Sequence, residues 1–487
     1  MSAPTAMLRW PSASRRRLAL WTAEEIARAT GGTASGAFQV SGVEMDSRDV
    51  LSGDLFVALT GESTDGHRFL DKAFASGAAA AVVDRPIPQP HVLVADTHAA
   101  LEALAAVARV RTRARIVGVT GSVGKTGVKE AIFAGLERGG NAAAHRSVRS
   151  YNNHVGVPLS LARMPQGSSH GVFEMGMNQA GEIAALTAQV RPHVAVITTI
   201  APAHIENLGS EEAIADAKAE IFTGLEKGGT AVIPADSPHF ARLRDAALAR
   251  RAKVLSFGRS PEAQMRLLDV IPAANGGSLV TAALNAAGGE RRLCWSVAAA
   301  GAHWVENSLC VMAAVHAAGG DLGAAGLALA EMGGLKGRGA RHRVPVPGGH
   351  ALIIDESYNA NPASMRATLA QLGTTPATRR IAVLGSMKEL GDFASGFHAQ
   401  LAAPLAEAGV DYAILVGAEM GPLASELGKA GAHPLGRAPV FAHCGNPGEA
   451  IAALEEWGLA GGDAVLVKGS NSVGLARVVA HLAAREG

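Results

Sequence analysis

Residues 115–126 read Arg115-Ile-Val-Gly-Val-Thr-Gly-Ser-Val-Gly-Lys-Thr126. Ile116 to Val119 is a short apolar run rich in β-branched side chains, the pattern of a parallel strand buried on both faces. A glycine turn follows, and then a helical pattern through Val128, Ile132, Phe133 and Leu136. Strand, glycine loop, Lys-Thr and helix form the layout of a phosphate cradle. Gly121 and Gly124 let the backbone around Ser122 and Val123 turn its N–H groups onto an anion. The helix that follows aims its positive end at the same place. Lys125 can neutralise outer phosphates, and the Thr126 hydroxyl can hold Mg²⁺. The strict pattern wants glycine at 119, where Val119 stands, so the motif is the shorter T-G-x-x-G-K-T form. A glycine turn before a helix is often only a turn; the Lys-Thr pair and the strand in front favour nucleotide binding.

A chain of 487 residues suggests about three domains at ~150 residues each. Hydrophobic content of 48% is enough to bury a core in each, and a net charge of +1 gives no bulk field favouring nucleic acid or a membrane surface. No apolar run reaches the ~18 residues a membrane span needs. Cys294, Cys310 and Cys444 are scattered without metal spacing, which fits a reducing cytoplasm. Ser14-Arg15-Arg16-Arg17-Leu18 mimics an export signal, but Thr22-Ala23-Glu24-Glu25 follows where an apolar stretch would be needed. Residues 1–17 therefore read as a solvated, disordered basic tail.

Pattern then divides the rest into 18–112, 113–335 and 336–487. In the first, Thr22 caps a helix through Ile26, and Gly53 to Leu59 reads as a strand. Asp46-Ser47-Arg48 offers a hydroxyl beside a guanidinium, suited to a phosphate or sugar, although a surface turn is the commoner use. In the second, strands alternate with helices as a doubly wound parallel sheet requires. Tyr151-Asn152-Asn153-His154 stands before a helix, where either asparagine could simply cap it. Glu174 ends the strand Val172-Phe173, at the edge where such a sheet opens its ligand crevice and a Mg²⁺ ligand would be wanted. His204 follows the strand Val194–Thr198, and Lys218 sits on the next helix; either could be an ordinary loop histidine or a solvated lysine. Three segments, Leu267–Ile271, Leu279–Leu284 and Arg291–Ser296, separated by turn residues, read as antiparallel strands, and a helix from His303 to His316 carries Asn307.

The last region opens at Gly337-Arg338-Gly339. It reads as a Rossmann-like sheet with strands at Leu352–Asp355, Ile381–Gly385, Tyr412–Val416 and Ala464–Val467. Helices are expected at Ala363–Leu372, Phe397–Ala408 and Glu449–Trp457. No G-x-G-x-x-G follows its first strand, so dinucleotide binding is not expected. Instead Asp355 to Met365 (DESYNANPASM) forms a polar loop at the sheet's carboxyl edge. Gly333, Gly334 and Gly337 cluster where the second region meets the third, the place for a closing hinge.

Together these motifs resemble the Mur ligases, ATP-dependent amide-forming enzymes of peptidoglycan precursor synthesis. The resemblance runs from about residue 18 to the end. It is carried by DSR, GDLFVAL and DGH, then TGSVGKT, YNNHVGVPLSL, FEMGMNQAGEI and AHIENLGS with KAEIF, and finally GRG, DESYNANPASM, GSMKELG and KGSNS. It implies a three-domain α/β architecture: a small N-terminal α/β domain, a central P-loop ATPase-like parallel sheet with an antiparallel addition, and a C-terminal Rossmann-like domain. YNANP with M-x-E-L-G points within the family to the reaction whose substrates are UDP-N-acetylmuramoyl-tripeptide and D-alanyl-D-alanine, in a cytoplasmic monomer. The diaminopimelate-adding relative carries a DNPR motif that is not found here.

The resemblance further implies residue roles. Gly121, Ser122, Val123, Gly124, Lys125, Thr126 and Gly127 hold the ATP phosphates. Thr126, Glu174 and His204 hold magnesium directly or through water, and Lys218 matches a lysine often carried as a carbamate. Asn307 matches an adenine-contacting asparagine, and Arg338 an arginine that reaches the γ-phosphate. Asp355, Tyr358, Asn359 and Asn361 face nucleotide and dipeptide, while Ser47 and Arg48 take the uridine nucleotide end. Lys125, Lys218, His204 and Arg338 are the expected catalytic set, with Asn152 and Asn153 on the substrate side. Gly127 departs from the Ser or Thr common after GKT, and Asn471 from the arginine that often follows KGS. Folylpolyglutamate synthetase shares the cradle and the lysine but lacks a separate uridine-nucleotide domain. A non-ligase P-loop ATPase would want the strict motif.

Overall fold

The computed structural model describes residues 19–61, 64–140, 143–202, 205–273, 276–286, 289–429 and 439–484. The N-terminal tail and His204 lie outside the described residues. The chain divides into two compact units. The first takes in the chain to Arg113 together with His154–Ser168; the second holds Ala114–Asn153 and everything from Ser169 on.

In the first unit, α1 (Ala23–Thr30) starts at Thr22, whose side chain accepts from the Glu25 amide while the Glu25 carboxylate accepts from the Thr22 amide. A five-stranded sheet follows, built from β1 (Thr33–Ala34), β2 (Gly42–Glu44), β3 (Asp54–Val57), β4 (Ala80–Val83) and β5 (His91–Leu93), in the order β1-β5-β4-β3-β2. All its pairs are parallel except β1 with β5. Helix α2 (Thr97–Arg111) closes the continuous part. The segment that returns later carries Arg163, which pairs at 2.8 Å with the buried Glu44 carboxylate.

The second unit contains two sheets. The larger begins with β6 (Arg115–Thr120) and the glycine loop, and α3 (Lys125–Gly139) leads to β7 (His145–Arg146). Helix α4 (Gly156–Ala162) belongs to the first unit, after which come β8 (His170–Glu174), β9 (Val194–Ile197), α5 (Glu211–Ala219), β10 (Thr230–Pro234) and β11 (Lys253–Gly258). β12 (Met265–Pro272), β13 (Ser278–Ala286) and β14 (Gly289–Val297) then form an antiparallel extension. The nine strands lie in the order β14-β13-β12-β11-β10-β9-β6-β8-β7. β6 is flanked by β8 and β9, both parallel to it, so strand order reverses beside the glycine loop. That switch point is where an open α/β sheet leaves a crevice. Val117 and Val119 of β6 and Val128, Ile132 and Leu136 of α3 share one core with α6 (Ala302–Ala317), which α7 (Leu322–Glu331) follows.

The second sheet runs β15 (Ala340–Val346), β16 (Gly349–Glu356), α8 (Pro362–Thr374), β17 (Arg380–Gly385), β18 (Tyr412–Val416), β19 (Val440–Cys444) and β20 (Ala464–Lys468), in the order β15-β16-β20-β17-β18-β19. Two expectations are corrected here. The strand expected first is second, because β15 precedes it and pairs with it antiparallel. β15 is an edge strand of which Val344 is the one buried hydrophobic, so Arg341, His342 and Arg343 hid it from an apolar search. The single helix expected at Phe397–Ala408 is two, Ala394–Ala399 and Ala402–Glu407. Pro404 lacks an N–H and is tolerated only in a first turn, so the helix restarts just before it.

No helix among the described residues is long and apolar enough to cross a membrane.

Candidate active site

The glycine loop is fixed by steric need. Gly121 has φ +146°, and a Cβ there would fall 1.9 Å from Thr198 Oγ1. Gly124 has φ +87° and caps α3 without a side-chain bond. The loop is tied to the segment after β9: Ser122 Oγ donates to Ala201 O at 2.9 Å, and Thr198 Oγ1 donates to Val123 O at 2.5 Å. Lys125 Nζ donates to Gly121 O at 2.7 Å, folding the side chain back over the loop. Burial lowers the Lys125 pKa; Glu174 and Glu389 act against that, and the Arg338 guanidinium adds to it.

Glu174 sits at the end of β8, 1% exposed. Thr126 Oγ1 donates to its Oε2 at 2.9 Å, and Asn152 Nδ2 donates to its Oε1 at 2.8 Å. Ser150 Oγ lies 3.3 Å from Thr126 Oγ1. Asn152 is thus spent on the carboxylate and not on a helix cap. The N-cap residue of α4, Val155, makes no side-chain cap bond of its own. Among the described residues no three His, Cys, Asp or Glu gather to hold a metal. One carboxylate with hydroxyls beside a phosphate loop is nevertheless the oxygen-rich, partial ligand set that suits Mg²⁺, which takes its remaining ligands from water and phosphate. Lys218 on α5 is 1% exposed, and no ion pair reaches it among the described residues. Burial, and then the charge of Lys125, push its amine well below the ordinary lysine value.

Both sheets of the second unit contribute to one cavity of about 660 Å³. From the first sheet's side come Ser122 to Gly127, Asn152, Asn153, Glu174 and Asn307. From the other come Arg338, Tyr358, Asn359 and Asn361. A second chamber of about 310 Å³ shares Ser122, Asn359, Asn361, Glu389 and Asn471 with the first. Arg338 stacks its guanidinium 4.3 Å over the Tyr358 ring. Asp355 does not line the cavity. Its carboxylate accepts from the Gly337 amide at 2.8 Å and from Ser357 Oγ at 2.6 Å, holding the turn that carries Arg338. Gly121 and Lys218 are likewise behind the surface rather than on it. In the first unit, Ser47 is buried, and Arg48 is exposed with its guanidinium on Asp46 at 2.6 Å.

The sequence did not single out His303, Trp304, Glu356 or Ser150, all of which line the cavity. Burial and then Lys468 pull the His303 pKa down to about 4. Burial raises Glu356, while the Lys468 and Arg338 charges oppose the rise. Trp304 explains the departure at Gly127: a Cβ there would meet the indole at 3.0 and 3.1 Å. The indole takes the room a side chain at 127 would need, and nothing in the sequence pattern links two residues so far apart.

Fold and cavity together define a class: a P-loop α/β sheet joined to a second α/β sheet, with residues of both facing one cleft. Three family models match in chain order. They are the Mur ligase family catalytic domain at residues 39–120, the Mur ligase middle domain at 119–315, and the Mur ligase glutamate ligase domain at 342–471. The chain is 35% identical over 92% of its length to the UDP-N-acetylmuramoyl-tripeptide–D-alanyl-D-alanine ligase of Synechocystis sp., of which it covers 92%. A crystal structure of MurF from Acinetobacter baumannii superposes with a TM-score of 0.79 at 29% identity, covering 95% of this chain and 99% of that one. MurF from Thermotoga maritima in complex with ADP gives 0.71 at 25% identity, covering 91% and 97%. The chain belongs to the Mur ligase family.

Proposed function

We propose that this chain joins D-alanyl-D-alanine to UDP-N-acetylmuramoyl-tripeptide at the expense of ATP. The relative named for that reaction supports the reading. The observation that carries it is the single cavity in which Lys125, the Thr126–Glu174 pair and Arg338 face one another. In this reading the tripeptide's terminal carboxylate attacks the γ-phosphate, releasing ADP and leaving an acyl phosphate. The dipeptide amine then attacks the carbonyl carbon; phosphate leaves, and the amine gives up a proton. The first step sets anion against anion, so neutralising charge is the main demand. Lys125 and Arg338 supply fixed cations on opposite sides of the cleft. Thr126, Glu174 and His204 would hold Mg²⁺, which when bound would add positive charge.

Lys218 takes the metal-organising role. Its buried amine is held toward the neutral form. Neutral amine and CO₂ give a carbamate with loss of one proton, which turns an uncharged amine into an anion whose oxygens suit magnesium. Asn307 and Arg338 serve the nucleotide. Asn153, Tyr358, Asn359 and Asn361 serve the acceptor side, and Ser47 and Arg48 the uridine nucleotide. In this reading the domains are 18–112, 113–335 and 336–487, with His154–Ser168 grouped with the first, and the chain acts as a cytoplasmic monomer. ADP release with UDP-N-acetylmuramoyl-tripeptide tests the reading: it should be slow alone and rise strongly when D-alanyl-D-alanine is added. ADP release indifferent to both substrates would overturn it.

A further inference from the structure

Lys129 has no part in the chemistry above, yet it is wholly buried on α3, one turn beyond Thr126. Its Nζ donates to Ser147 O at 3.4 Å and to Arg149 O, and pairs with Glu130 Oε1 at 2.8 Å. Glu130 in turn holds Arg146 through its other oxygen at 2.8 Å. The two carbonyls belong to the segment that surrounds Glu174. Ser147 Oγ accepts from the Glu174 amide at 2.9 Å, Asn152 binds the Glu174 carboxylate, and Ser150 meets Thr126. Between them, Arg149 has φ +48°, a left-handed conformation that a side-chain-bearing residue keeps only when its surroundings hold it there. Burying an ammonium is costly, and Met or Leu would fill the same space without that cost. The ammonium is therefore kept for what it holds, the Glu130 carboxylate on its own helix and the two carbonyls of the Ser147–Asn152 segment.

We infer that Lys129 is a positioning residue: it clamps the Ser147–Asn152 segment to α3, so that the oxygens of Thr126 and Glu174 stay in register for a metal–nucleotide ligand. This rests on the nucleotide reading of the cavity. Lys129 acts through the segment and touches no ligand itself.

The test uses the full chain and Lys129→Met, which keeps the packing and removes the ammonium. Mn²⁺ binding in the presence of ADP is followed by electron paramagnetic resonance, alongside KM for ATP and for D-alanyl-D-alanine and the melting temperature. Mn²⁺–ADP affinity should fall at least tenfold and KM for ATP should rise, with KM for the dipeptide within twofold of the parent. Asn152→Ala removes one of the contacts Lys129 supports, so K129M should cost less in that background. A K129M protein that binds Mn²⁺–ADP as the parent does overturns the inference, as does full additivity with Asn152→Ala. If K129M is not recovered folded, Lys129→Gln, which loses the ammonium but keeps an amide donor, should lower Mn²⁺–ADP affinity by at least threefold; binding equal to the parent's overturns the inference. A parent that binds no Mn²⁺–ADP sinks the nucleotide reading and this inference together; equal binding by parent and variant sinks this inference alone.

Discussion

Gly121→Ala adds one carbon at the tightest point of the cradle. That carbon would lie 1.9 Å from Thr198 Oγ1 and 3.1 Å from the Thr198 backbone nitrogen, so one side must move. If Thr198 rotates away, its 2.5 Å hydrogen bond to Val123 O is lost, a loss of about 1 kcal/mol. The backbone itself, at φ +146°, is foreign to alanine, a strain of about 1–3 kcal/mol. The sum is about 2–4 kcal/mol, or ~30- to ~800-fold if all of it appears in nucleotide affinity. Calorimetric titration with ADP, with a thermal melt beside it, divides the loss between binding and folding. In a Thr198→Ala background, where that hydrogen bond is already gone, Gly121→Ala should cost only the backbone strain. Gly167→Ala, with nothing within 4 Å of its added carbon, is the control and should change neither reading. A Gly121→Ala protein that binds ADP within threefold of the parent and melts alongside it would refute the steric reasoning.

Gly127→Ser should destabilise by about 1–3 kcal/mol, because its Cβ meets Trp304 at 3.0 Å; Trp304→Ala should absorb most of that, and a melt unchanged by the serine would contradict the packing. Lys218→Ala should abolish ligation, with partial recovery in added formate or acetate; full activity of the plain mutant would remove the metal-organising role. His303, held neutral with a pKa of about 4 against an ordinary 6.5, gives a pH dependence of defined sign. The unfolded chain takes up the proton below 6.5 and the folded one does not, so stability is complete above pH 6.5 and lost as pH falls toward 4. Between pH 7 and pH 5 the contribution is about 2 kcal/mol, so urea unfolding of His303→Asn should lose that much of the parent's pH difference. Small-angle scattering should show compaction on adding nucleotide and tripeptide if the Gly333–Gly337 cluster is a hinge; an unchanged profile would argue against closure.

The strand before the cradle and the first helix of the chain were legible because their signals are local. β6 is a run of apolar residues, and α1 carries a complete capping box at Thr22 and Glu25. The three antiparallel strands were visible because Gly and Asn turns separate them. Two elements failed for reasons that are also local. β15 is an edge strand with polar side chains, and a proline inside an apolar pattern marks a restart that periodicity alone passes over.

What the sequence settled by itself was the strand–loop–helix layout of the cradle, most of the elements and the resemblance, whose signals lie within short stretches of chain. Only the tertiary structure decided how the polar residues were spent. Asn152 goes to Glu174 rather than to a helix start, Asp355 to the Gly337 turn, and Gly127 gives its room to Trp304. Lys129, to which the sequence pattern assigns nothing, is buried against carbonyls that lie about twenty residues further on. Such assignments turn on distances across the sheet, and a side chain's nearest partner in space leaves no mark on the spacing of residues along the chain.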